Sequence, residues 1–316
     1  MSIVKCMMYN KSKICTEQVK KEYKTYINLQ ESIWKTRQNK IVNLKRYITE
    51  ALGVADEVSQ MAREVVEQIN EHASFQKYTL TSDKRFYVKR GITHMNVFGK
   101  NYFQIIYKDI IPLSEEIYIS SETSINLYQH KMTVTVNRSN MDETYNAIYH
   151  ELEHYYEFTK GNQKNPFKSL NDNEFYNRAV DYMLNGSECE QHIGQIIYIS
   201  YKFERTAAAN GLYGYLEYLI NQGKIKTKND IVNATKRNET YELVNHIEQA
   251  KQYLITNKNS EEVKTAILNI SNKPFDWYIK QCNVIKNDLC KRIGKVIVRA
   301  FQHFEEVKKK TIVNNE

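Results

Sequence analysis

The segment Ile148-Tyr149-His150-Glu151-Leu152-Glu153-His154-Tyr155-Tyr156 carries two histidines four residues apart, with a glutamate directly after the first. Residues at i and i+4 stack on one face of an α-helix, one turn apart. The surroundings predict that helix. Asn140-Met141-Asp142-Glu143 offers an N-cap residue with a glutamate three positions on, in the manner of a capping box. Ala147, Ile148, Leu152, Tyr155 and Phe158 supply an apolar flank, and Gly161 is a stop signal.

Working outward, Met132–Val136 reads as a strand just upstream, one that offers a sheet edge to an extended peptide. Further strand signals are Phe86–Val88, Tyr102–Tyr107 and Ile117–Ile119, separated by Asp, Asn, Ser and Gly. Before them, helical spacing runs from about Thr16 to Glu50, and again after Gly53 through Val54, Val58, Met61, Val65, Val66 and Ile69. After Asn140 the pattern is helical, with helices expected near 241–256, 261–270 and 278–307. Only three prolines and ten glycines interrupt the chain, which favours long helices. Helices and strands are segregated rather than alternating, so the expected class is α+β. The expected organisation is a helical hairpin over 1–75, a central domain with a small mixed sheet packed on the His-Glu-x-x-His helix over 76–225, and a helical region over 226–316.

The chemistry of the segment is specific. Two imidazoles on one helix face can reach one metal ion, and zinc accepts imidazole nitrogen readily. Glu151 sits beside the first ligand, where it can take a proton from a water that the metal acidifies. With eight histidines in the chain, a shuffled sequence contains this pattern on the order of 0.02 times, so coincidence is a poor account of it.

These residues resemble the zincin metallopeptidases, which carry His-Glu-x-x-His on a helix. The metzincin continuation is absent, because Glu157 and Lys160 stand where Gly and a third His belong. The resemblance therefore implies the gluzincin arrangement, with a downstream carboxylate as third zinc ligand. Glu204 and Glu174 compete for that role. Asn173-Glu174 has the thermolysin-like spacing but is followed by Arg178 where an Asp is expected. Glu204 opens Glu204-Arg205-Thr206-Ala207-Ala208-Ala209-Asn210-Gly211, whose small side chains let one helix approach another closely, and it is preferred. The pattern is also similar to that of peptidase-like proteins of bacteria and their phages. His192 is a distant third option. Tyr201, Tyr213 and Tyr215 lie near this second motif as candidates for oxyanion stabilisation, with nothing to choose among the chain's 24 tyrosines.

Composition bounds the rest. Apolar residues at 41% and charged residues at 26% describe an ordinary globular chain, and 316 residues suffice for a sizeable core. The net charge of +8 is spread out, and its densest runs, Lys224–Lys228 and Lys308–Lys310, read as solvated helix ends rather than a nucleic-acid surface. Five cysteines without a Cys-x-x-Cys pair point to free thiols in a reducing compartment. No segment approaches the roughly 18 apolar residues of a membrane span, and no secretory leader is evident. The expectation is thus a zinc metallopeptidase acting on a peptide or protein, in the cytoplasm of a cell or of a phage's host. The alternative is a structural or interaction protein, such as a virion component, that keeps a zincin-like scaffold without catalysis.

Overall fold

The computed structural model describes residues 56–114, 121–160, 170–270 and 273–313. The expected helix from Thr16 to Glu50 and the strand signal at Ile117–Ile119 lie outside them, as does the Gly161 stop. The described residues form helices α1 (Asp56–Ser74), α2 (Met141–Lys160), α3 (Leu170–Asn185), α4 (Glu188–Ser200), α5 (Lys202–Asn221), α6 (Lys228–Arg237), α7 (Glu239–Thr256), α8 (Glu261–Ile270) and α9 (Phe275–Val313). The strands are β1 (Thr79–Leu80), β2 (Phe86–Val97), β3 (Lys100–Pro112), β4 (Thr123–Asn126) and β5 (Lys131–Asn137). The class is α+β, with a small mixed sheet in a mostly helical chain. No described helix is long and apolar enough to cross a membrane.

Two compact units share the described chain, one holding the sheet and one wholly helical. The sheet unit comprises α1, the strands, α2, and residues 210–226 and 302–313. Its strand order is β1-β2-β3-β5-β4, with β3 and β5 parallel and the other pairs antiparallel. This corrects the expectation that Met132–Val136 offers a free edge. β5 is flanked on both sides, and the edge belongs to the short polar strand β4, Thr-Ser-Ile-Asn. Its four residues carry no apolar alternation, so only the ladder with β5 defines it.

Apolar residues at helical spacing explain how the helices of this unit seat. α1 buries Val58, Ala62, Val65, Ile69 and Ala73, and α2 buries Ile148, Leu152, Tyr155 and Phe158. α2 packs on β4, β5 and α1. Its entry is fixed from the sheet. The Arg138 guanidinium donates to both oxygens of buried Asp109 on β3, at 2.8 and 2.7 Å, immediately before the helix begins at Met141. Such a planar two-bond grip specifies orientation as well as adding attraction.

The helical unit comprises α3, α4, residues 202–209 of α5, α6, α7, α8 and residues 275–301 of α9. Capping boxes start two of its helices, Ser187 with Glu190 for α4 and Thr227 with Asp230 for α6. α3 and α4 approach so closely at Gly194 that an added Cβ would stand 2.5 Å from the Ala179 carbonyl oxygen. The start of α5 is pinned by Arg205, which donates to the Ile199 and Ser200 carbonyls at 2.7 and 2.6 Å and to Asp288 on α9 at 2.6 Å. Cys282 and Cys290 are both buried on α9, and burial raises the Cys282 thiol to about 12, leaving it an inert core residue.

Candidate metal centre

α2 carries His150, Glu151 and His154 half-buried, while the same helix sinks Tyr149, Leu152 and Glu153 into its packed side. The Nε2 atoms of His150 and His154 are 3.2 Å apart, with ring planes at 81°. Two nitrogens bound to one tetrahedral zinc at about 2.0–2.1 Å stand roughly 3.3–3.4 Å from one another. The imidazole nitrogens thus stand close to the separation of two ligands on one ion, at a distance that a hydrogen bond between the rings also gives.

The underside of α2 is held firmly. Tyr149 is fully buried, and its hydroxyl donates to the Glu217 carboxylate on α5, with the Ser59 carbonyl of α1 at 3.2 Å. Glu217, 2% exposed, also accepts from Arg63 at 2.6 Å. Burial and the Glu217 charge raise the Tyr149 hydroxyl well above the ordinary phenol range, so it stays a proton donor. One turn beyond His150, Glu153 is buried and accepts from the Asn210 amide of α5. Tyr155 is pushed up to about 12 by burial, with His130 Nδ1 2.8 Å from its oxygen.

Glycines let α5 lie close against α2. A Cβ at Gly211 would stand 2.7 Å from Asn146 Oδ1, and one at Gly214 would stand 2.5 Å from Tyr149 Cγ. Of the small-residue run after Glu204, Gly211 is the member that meets α2. α5 is one continuous helix from Lys202 to Asn221, so Glu204 stands about 9 Å along its axis from Asn210. One ligand atom from each of His150, His154 and Glu204 lies within 4.8 Å of the others. Among the described residues this is the one cluster of three such side chains.

No protein-family model, curated protein or solved structure matches the chain.

Glu204 is 2% exposed. A buried carboxylate is costly unless it is hydrogen-bonded or paired with a cation. Its oxygens accept hydrogen bonds from Tyr176 on α3 at 2.6 Å and from Tyr198 on α4 at 2.5 Å. Burial, the Glu204 charge and Tyr198 all raise Tyr176 above the ordinary phenol range, which keeps its proton on oxygen. Two imidazoles and one carboxylate make a donor set suited to zinc, since imidazole favours it over magnesium or calcium.

The other candidates stand elsewhere. Glu174 has a 69% exposed side chain beside Arg178 at 3.9 Å, a solvated helix-face pair. His192 lies tilted against Tyr253, with ring centroids 4.9 Å apart, and burial lowers its pKa. Tyr213 is buried against Tyr149. No spacing rule in the sequence links Tyr176 or Tyr198 to Glu204.

Proposed function

We propose that the chain is a zinc-dependent metallopeptidase of zincin-like build, in which His150, His154 and Glu204 hold the metal and Glu151 is the general base. The observation that carries this reading is the 3.2 Å approach of the two imidazole nitrogens, with a buried carboxylate oxygen in the same cluster. When bound, zinc supplies Lewis acidity that lowers the pKa of a water to about 7 and polarises the carbonyl under attack.

The protein's own groups do the rest. His150 and His154 would hold the metal through imidazole nitrogens, and Glu204 would supply the one carboxylate. Glu151 follows a ligand directly and keeps partial solvent contact, so its carboxylate can take a proton from the attacking water and return it to the leaving amine. The substrate class that fits this chemistry is a peptide or protein.

Two measurements test the reading. Glu151→Gln should retain stoichiometric zinc while hydrolysis of a fluorogenic peptide library falls by about 10²–10⁴-fold, the usual contribution of a positioned general base. Undiminished cleavage by that variant would sink the assignment of Glu151. A wild-type protein that binds zinc but cleaves nothing would support the scaffold alternative.

A further inference from the structure

The two tyrosines on Glu204 have no part in the chemistry above, yet they occupy both of its oxygens. We propose that Tyr176 and Tyr198 are positioning residues that fix the Glu204 carboxylate as a pre-oriented metal ligand; the proposal rests on the zinc reading and deepens it. The three groups come from three successive helices, α3, α4 and α5, so the arrangement depends on the helical unit being folded.

A glutamate side chain has three rotatable bonds before its carboxylate, and an unheld one samples many orientations. Here Tyr176 donates to Oε1 at 2.6 Å and Tyr198 to Oε2 at 2.5 Å, the short range of charge-assisted O–H···O⁻ bonds. One donor on each oxygen fixes the carboxylate plane as well as its position. The donors are themselves stiff. Tyr176 packs against Tyr198, Tyr201 and Phe203, with ring centroids 5.5, 5.3 and 5.8 Å away. Outer groups that orient a ligand typically change metal affinity by about 10–100-fold when removed.

The test compares wild type, Tyr176→Phe, Tyr198→Phe, the double variant and His154→Ala. Phenylalanine keeps the ring packing and removes only the donor. Zinc affinity is measured by competition with a chromogenic chelator, and cobalt(II) is used as a spectroscopic probe of ligand geometry. Each single variant should bind zinc about 10-fold more weakly and the double variant on the order of 100-fold more weakly, with an altered visible cobalt spectrum. Far-UV circular dichroism establishes that each variant is folded. Should the double variant not fold, the single variants, each keeping one donor on the carboxylate, carry the comparison. Folded single variants with wild-type zinc affinity and an unchanged cobalt spectrum would overturn the positioning role, because a tyrosine that only satisfies a buried oxygen alters stability and not metal geometry. In that case zinc lost from His154→Ala alone leaves the metal assignment standing. A wild-type protein that takes up no zinc overturns both.

Discussion

Replacing Gly214 by alanine puts one methyl group where α5 and α2 approach closely. The new Cβ would stand 2.5 Å from Tyr149 Cγ and 2.6 Å from its Cδ2, whereas carbon atoms in contact settle about 3.5–4.0 Å apart. Relief requires a local displacement of about 1 Å. Tyr149 has little freedom to supply it, being fully buried with its hydroxyl engaged by Glu217 and close to the Ser59 carbonyl. Overpacking of this kind costs about 1–3 kcal/mol, while alanine in a helix recovers roughly 0.5–1 kcal/mol relative to glycine. The variant should therefore be destabilised by about 1–2 kcal/mol, read as a lower urea midpoint for the metal-free protein. The same displacement should weaken zinc binding at least about 10-fold, since metal–ligand distances tolerate only about 0.2 Å. A Gly214→Ala protein as stable as wild type, with undiminished zinc affinity, would refute the claim that the close helix contact supports the site.

Tyr149→Phe leaves the buried Glu217 carboxylate to Arg63, and should cost about 1–3 kcal/mol in urea unfolding; an unchanged midpoint would mean that the tyrosine bond contributes nothing net. Asp288 offers a pH test. Burial alone would raise its carboxyl, but hydrogen bonds from Arg205 at 2.6 Å and Arg292 at 3.0 Å hold it below the usual carboxylate value. A depressed folded-state pKa gives stability that is present above the unfolded value of about 3.9 and lost as pH falls through the folded one. Asp288→Asn should therefore be less stable than wild type near neutrality and lose less on acidification below about pH 4. Parallel acid profiles for the two proteins would contradict this.

The sequence makes some of this fold plain and hides the rest for physical reasons. α7, α8 and α9 carry sustained apolar spacing and lie close to the ranges expected from it. β2 and β3 are visible as short apolar runs but extend over 12 and 13 residues, because their mutual ladder recruits polar neighbours that have little strand preference alone. β1 and β4, at two and four residues, exist only through partners. The histidine pair is legible because i and i+4 geometry is local. Glu204 is legible only as a candidate, since which downstream carboxylate serves a histidine pair is not set by local spacing. Tyr176 and Tyr198 are invisible in advance, because which tyrosines meet a carboxylate depends on how α3 and α4 pack, and the chain has 24.

The most direct measurement is a crystal structure of the zinc-soaked full chain, with anomalous data collected on both sides of the zinc absorption edge. The account predicts one strong zinc-specific peak, about 2.0–2.2 Å from His150 Nε2, His154 Nε2 and a Glu204 oxygen. A histidine pair with no such peak, or a zinc ion ligated there without Glu204, would contradict it.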